Sequence, residues 1–396
     1  MPTDPRPGDG PRTAAARPGG PRPAAARPTV AAVEAFRLSL PLVHSFQTSS
    51  HRKSHLEHIV VRVAGADGTV GWGEIASPSD PYYCPETVDT CWMILQRYLA
   101  PALVGSEWDH PADAGRAWAK IRGHHFAKAG LDIACWDLWT RASGTRLADA
   151  LGGTRDRVAA GVSLGIEPTV EELLAQVGRH VADGYRRIKL KIAPGWDVAP
   201  VRAVRAAHPD LAVQVDANGV YPETDEALAT LRELDALGLL LIEQPFAPGA
   251  LAAHARLAER IGTPVCLDES VDDLDQLDSA IALRAGTVLN IKVSRMGGLT
   301  AARAAHERAV AAGWRVWCGG MHEFGVGRAA NVAIASLSGF DLPSDVSGSD
   351  KYYAHDIVAP PIRAVDGMVE VPSGPGLGHE VDEEFVRAQA ADAFRV

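Results

Sequence analysis

The sequence predicts an α/β protein in which a closed parallel barrel follows a smaller α+β domain. Three observations predict it. Between residues 156 and 356 short apolar strands alternate with amphipathic helices seven or eight times, which indicates a parallel sheet, and so many units favour closure into a barrel. Before that stretch, strands come first and helices after them, as in an α+β domain. From residue 357 to residue 396 the barrel texture stops, and a segment containing "PSGPGLG" is expected to return and pack on the first domain. With 396 residues and 46% hydrophobic composition, the chain is long enough for one domain of about 200 to 250 residues and a smaller second one.

Taken in order, residues 1–29 are dominated by Pro, Ala, Arg and Gly and lack the apolar stretch of a secretory signal. They read as a disordered tail outside the fold. Residues 30–155 form the first domain. "VEAFRLSL", "LEHIVVRVAG" and "VGWGE", with a turn at Ala66-Asp67-Gly68, predict a small antiparallel sheet. Helical periodicity follows in "PETVDTCWMILQRYLAPALV" and "FAKAGLDIACWDLWTRASG", where Gly144 can act as a stop. In the barrel, residues 156–356, the predicted strands are "AAGVSLGI", "RIKLKI", "LAVQVD", "LLLIE", "PVCLD", "TVLNIK" and "WRVWC", with a weak last one near "FDLPSD". Helices are read in "TVEELLAQVGRHVADG", "DVAPVRAVRAAHP" and "LTAARAAHERAVAAG".

Bulk properties narrow the function. A net charge of -10 gives no footing for nucleic acid. No apolar run reaches the roughly 18 to 20 residues of a membrane span. Five scattered cysteines without CxxC spacing suggest neither a disulfide framework nor a zinc site, and reduced thiols fit a cytoplasmic location. The expected partner is a small-molecule carboxylate, with a homo-oligomer of the chain itself.

"RIKLKI" sets Lys189 and Lys191 two residues apart, on one face of a strand. That face is either ordinary wet surface or a closed interior that must hold anions. The strand ends decide between these. Asp216 closes "LAVQVD", Glu243 "LLLIE", Asp268 "PVCLD" and Lys292 "TVLNIK", separated by 27, 25 and 24 residues, one strand–helix unit each time. All strand C-termini of a barrel open on one face, where catalytic groups sit. Three converging carboxylates repel unless a cation is present. Hard oxygen donors suit Mg²⁺, or Mn²⁺, better than zinc. A strand-terminal acid can also be a helix N-cap, but three in succession flanked by lysines are poorly explained that way.

"KLKI" with "DAN", "IEQP", "LDES" and "NIKVSRMGG" resembles the enolase superfamily in its muconate-lactonizing-enzyme subgroup, over essentially everything after residue 30. "GHHFAKAGLDIACWDL", "KIAPGWD", "WCGGM" and "GRAANVAIASL" are most similar to the N-succinylamino acid racemase and o-succinylbenzoate synthase family. The resemblance implies a modified TIM barrel of (β/α)7β type and an α+β capping domain completed by the C-terminal segment. It also implies Mg²⁺ on Asp216, Glu243 and Asp268.

A proton α to a carboxylate is weakly acidic, and a divalent metal on that carboxylate neutralises the charge its removal creates. Lys191 is the implied base, its ammonium form disfavoured by the metal and by Lys189. Lys292 serves the opposite face of the same carbon, which makes a racemase. For a β-elimination such as o-succinylbenzoate formation, the resemblance implies that Lys191 takes the proton and assists the leaving hydroxyl, while Lys292 stabilises the intermediate as a cation. Arg295 stands where the family associates an arginine with tuning of that lysine; it reads equally as a loop arginine, solvated or paired with a nearby acid. Ser163 and Asn218 match family positions near substrate or metal ligands, or are loop caps. Glu269 supports the site from beside Asp268 or starts a helix. Gly320 and Met321, in "CGGM", bring backbone N–H groups to an acyl oxygen or merely form a tight turn. Phe46 and the "ASPSDPYYC" loop match the lid, although an isolated Phe is more often core.

The chain departs from the family pattern at three places. His322-Glu323-Phe324 stands where close relatives carry an apolar residue followed by Glu-Thr. Val293-Ser294 replaces Pro-Gly, and the "SPSDPYYC" loop is unusual. His322 either hydrogen-bonds a polar acyl group or is a satisfied histidine at the rim. The expected activity is therefore N-acyl, foremost N-succinyl, amino acid racemisation, with o-succinylbenzoate synthase activity beside it. A cycloisomerase or a dipeptide epimerase shares the first half-reaction. The epimerase is disfavoured because "DLPSDVSGSD" holds Asp345 and Asp350 but no Asp-x-Asp. A Schiff-base aldolase on Lys292 leaves the three acids unexplained, and a barrel that only binds an acidic ligand is a further alternative that the sequence alone does not separate from an enzyme.

Overall fold

The structure, a computed structural model, describes residues 27–47 and 52–396. Most of the stretch read as a tail lies outside them, as does the side chain of Phe46. Strands β1 (Val30–Gln47), β2 (Arg52–Gly65) and β3 (Val70–Ile75) form an antiparallel meander. Both faces of this sheet are buried. Val33, Ala35, Ile59, Val61 and Val63 belong to the core of the first domain. The alternate residues Phe36, Leu38, Leu40 and Val60 join the large core that runs into the barrel, so one strand period feeds two cores.

The first helical stretch is broken: α1 (Val88–Ile94) and α2 (Ala100–Leu103) are separated by one π-helical turn. Helix α3 (His125–Ala142) lies across the sheet. Its approach is closer than any side chain permits, for a Cβ on Gly73 would sit 1.9 Å from the Gly130 carbonyl oxygen. A short α4 (Leu147–Leu151) and β4 (Arg157–Ala159) lead into the barrel.

The barrel strands are β5 (Val162–Leu164), β6 (Arg187–Lys191), β7 (Ala212–Asp216), β8 (Ile242–Glu243), β9 (Val265–Leu267), β10 (Val288–Ile291) and β11 (Arg315–Cys318). They make one parallel sheet in sequential order. Helices α5 (Val170–Ala182), α6 (Val198–Ala207), α7 (Asp225–Asp235), α8 (Leu251–Ala258), α9 (Leu274–Leu283), α10 (Leu299–Ala311) and α11 (Gly325–Ala335) follow the strands in turn. The weak eighth segment is not a regular strand. Its Phe340 and Ser344 make single parallel bridges to Val316 and Ala160, one on each edge of the sheet. "DLPSD" cannot sustain a ladder because Pro343 lacks an N–H.

The last segment forms β12 (Val358–Ala359), β13 (Ala364–Val365), β14 (Met368–Glu370), β15 (Glu380–Val381), α12 (Glu383–Gln389) and β16 (Ala390–Arg395). β16 pairs antiparallel with β1 and completes the four-stranded sheet of the first domain. Polar groups on α3 join the parts: Asp137 accepts from the Trp72 and Leu377 N–H groups, and Asp132 from Thr300 at the start of α10. All five cysteines are free. No helix among the described residues is long and apolar enough to cross a membrane.

Candidate active site

The parallel register sets Lys191 beside Asp216 and Asp216 beside Glu243, while Asp268 and Lys292 lie just past the ends of β9 and β10. All five side chains are buried. One oxygen from each of Asp216, Glu243 and Asp268 lies within 4.8 Å of the others. Glu243 accepts from Asn290 at 2.6 Å through Oε1, whereas its Oε2 is buried and accepts no hydrogen bond. Burial, and then Asp216, push this carboxyl up to about 8. Three carboxylate oxygens gathered this closely, with the Glu243 Oε2 facing the Lys189 ammonium at 3.2 Å, fit a hard divalent cation such as Mg²⁺.

Lysines flank the triad. Lys191 Nζ donates to Asp216 at 2.5 Å and to Asn218 at 2.6 Å. Across the triad, Lys292 Nζ donates to Asp268 at 2.8 Å and to the Tyr83 hydroxyl at 2.9 Å, with the Tyr83 ring 4.7 Å away. Burial works against the Lys292 ammonium, but Asp268 and Tyr83 hold its pKa above the ordinary lysine value. Burial likewise opposes ionisation of Asp268. Arg295, Lys292 and Lys189 outweigh it and keep that carboxylate well below its usual range.

Lys189 lies in the closed interior, which settles what the paired lysines face. Its ammonium is 3.1 Å from Asp345, 3.2 Å from Glu243 and 3.4 Å from Asp216, and 4.8 Å from the centre of the Trp317 ring. Burial alone would lower its pKa, yet Asp345, Glu243 and Asp216 hold it well above the ordinary value. Asp345 also accepts from Ser163 at 2.8 Å and from Arg187 at 2.7 Å. Ser163 thus orients an acid rather than capping a loop.

Arg295 is buried and paired. It contacts Asp268, donates to Tyr83 at 2.9 Å and to the Asn290 carbonyl at 3.1 Å, and lies 3.2 Å from Asp272. It shares the partners Asp268 and Tyr83 with Lys292, and its charge also bears directly on that lysine, opposing the ammonium form. Asn218, in the left-handed region at φ 48°, donates to Glu269 at 2.7 Å. Glu269 is buried, and burial followed by Asp268 and Asp216 pushes it up to about 7.

After β11, Gly319 is demanded by packing, since a Cβ there would fall 2.1 Å from Asn290 Oδ1. Gly320, Met321 and His322 line a cavity of about 320 Å³ together with Ser163, the three lysines, Asn218 and Glu269. This is at the low end of the roughly 300–1,000 Å³ usual for small-molecule sites. Met321 N–H is already taken by Glu323 at 2.9 Å. His322 sits at φ 62° with its ring stacked on Tyr352 at 5.0 Å, and its carbonyl accepts from Tyr353. Burial, and then the charges of Lys351, Arg328, Lys53 and Lys191, keep its imidazole neutral. From the first domain, Lys53, His58, Ser79, Tyr82 and Tyr83 reach the same cavity. The backbone of Phe46 pairs with Lys53 at the cavity's edge.

Three members of the site carry sequence signals that the strand-end acids and lysines overshadow. Asn290 precedes Lys292 by two residues and so shares its face. Asp345 ends the eighth segment one unit after Cys318. Gln244 follows Glu243 and holds the next strand end, its Oε1 accepting the Asp268 N–H at 2.9 Å. Tyr83 has only its place in the "ASPSDPYYC" loop.

Residues 29–152 match the family described as mandelate racemase / muconate lactonizing enzyme, N-terminal domain, and residues 172–385 match enolase C-terminal domain-like. An o-succinylbenzoate synthase of Geobacillus kaustophilus is 44% identical over 349 residues, 88% of this chain and 92% of the relative. An N-succinylamino acid racemase of Amycolatopsis is 46% identical over 343 residues, covering 86% and 92%. The crystal structure of an enolase superfamily member from Listeria innocua superposes with a TM-score of 0.90 at 32% identity, covering 93% of this chain and 99% of that one.

Proposed function

The chain belongs to the enolase superfamily, in the branch of mandelate racemase and muconate lactonizing enzyme, and from that premise we propose that it racemises N-acyl, foremost N-succinyl, amino acids. The observation that carries the reading is the pair of buried lysines, Lys191 and Lys292, on opposite flanks of three strand-end carboxylates in one cavity. Asp216, Glu243 and Asp268 would hold Mg²⁺, which when bound supplies Lewis-acid stabilisation of the negative charge on the substrate carboxylate. Lys191 removes the α proton from one face, and Lys292 returns one to the other. Asn218 and Tyr83 hold the nitrogens of these two side chains in place. Lys189, balanced among Asp216, Glu243 and Asp345, fixes the acids rather than touching the reacting carbon.

o-Succinylbenzoate synthesis is the second reading, supported by the relatives of that name and by an environment that keeps Lys292 cationic. Incubation with N-succinyl-L-amino acids and Mg²⁺ in D₂O tests the first reading. Deuterium entry at the α carbon with loss of optical rotation is expected. Absence of exchange with every acylated amino acid tried would sink it.

A further inference from the structure

An N-succinyl amino acid carries a second carboxylate at the far end of its acyl chain, and any partner assigned to that carboxylate rests on the racemase reading. The triad and the two flanking lysines account only for the α-carboxylate and α carbon. Other cations on or behind the cavity wall donate to backbone carbonyls. Arg328 gives its two Nη atoms to the carbonyls of Ser347 and Glu323 at 2.7 and 2.9 Å. Lys351, behind Tyr352, donates to the Ser163 carbonyl at 3.1 Å.

Lys53, near the start of β2, differs. It lines the cavity half-buried, yet makes no hydrogen bond or salt bridge with any described residue. Asp80 acts on it only from a distance, and burial pushes the amine below the ordinary lysine value. A partly dehydrated ammonium with no ion pair among the described residues gains from an anion brought by a ligand. Lys53 also acts electrostatically on His322, on the loop that closes the cavity after β11. Lys53, the His322 loop and the lysines beside the triad line one cavity, so an acyl chain extending from the α nitrogen has a continuous space toward Lys53.

We propose that Lys53 binds the distal carboxylate of the acyl group and so selects dicarboxylic over monocarboxylic acyl chains. The strand supplying it belongs to the first domain, so acyl selection and α-proton chemistry are divided between the two parts of the chain.

The test measures α-proton exchange in D₂O for three substrates of one amino acid: N-succinyl, N-butanoyl, which has the same length without the charge, and N-β-alanyl, which ends in an ammonium. Lys53→Gln should lower the succinyl-to-butanoyl ratio of kcat/KM roughly 10- to 100-fold, the range of a charge-assisted hydrogen bond, mainly through KM. Lys53→Arg should keep most of the preference. Lys53→Glu should shift it toward N-β-alanyl substrates, an independent reading should the Gln variant not fold. An unchanged ratio in Lys53→Gln, or no shift in Lys53→Glu, overturns the assignment while leaving the racemase reading standing. No exchange by the unmodified protein on any of the three overturns both.

Discussion

Lys191 and Lys292 are held by different partners, and that difference should show in their variants. Lys191 lies between Asp216 and Asn218, Lys292 between Asp268 and Tyr83. Each substitution by alanine is expected to lower racemisation at least ~10²-fold, the lower end for a general acid or base. Exchange from both enantiomers persisting in either variant would contradict the two-base assignment. Tyr83→Phe removes the hydroxyl to which both Lys292 and Arg295 donate. A fall in kcat of roughly tenfold is expected, with circular dichroism unchanged; a kcat within twofold of the parent would leave Tyr83 as packing at the cavity wall. At this scale the charged groups were legible, because acids that recur at strand ends every 24 to 27 residues must gather at one mouth of a parallel barrel. Tyr83 was not. Its role depends on a loop folding back some two hundred residues in sequence onto Lys292, and no local pattern encodes that distance.

Elements meet through buried polar groups as well as through apolar faces. Asp132, inside α3, accepts from Thr300 N–H at 3.0 Å and from its hydroxyl at 2.6 Å, so a helix of the first domain caps the start of α10. Burial pushes this carboxyl up to about 6, against the hydrogen bonds from Thr300. The raised value means that the folded state binds more protons than the unfolded one between about pH 4 and pH 6. This group's contribution is therefore present below that window and lost as pH rises through it. Asp132→Asn removes the titration while keeping an acceptor for the Thr300 N–H. Relative to the unmodified protein, its Tm should rise between pH 4 and pH 7, as differential scanning calorimetry can show. A difference independent of pH would mean that Asp132 stays ionised throughout. Helices and strands were largely legible from period, but their ends and breaks were not. The π turn between α1 and α2 and the two-residue β8 lie where packing, rather than local propensity, sets the length.

For the whole molecule, the site belongs to neither part alone. The barrel supplies the acids and lysines, while the first domain supplies Tyr83 and the Lys53 side of the cavity. A cation held by the three carboxylates would link metal binding to folding. Adding Mg²⁺ to EDTA-treated protein should raise Tm, by the equivalent of about 2.7 kcal/mol at one hundred times the dissociation constant. The triple replacement Asp216→Asn, Glu243→Gln, Asp268→Asn should abolish that rise; a shift that survived it would place the ion elsewhere. By itself the sequence determined the order of strands and helices and which acids and lysines end strands, because apolar periodicity and strand-end spacing are local properties of the chain. Only the tertiary structure decided that Lys189 is shared among three acids, that Asp345 joins them, and that Tyr83 and Lys53 enter the cavity from another part of the chain. Those facts depend on barrel closure and on the seating of the first domain, where burial makes each charge seek a partner remote in sequence.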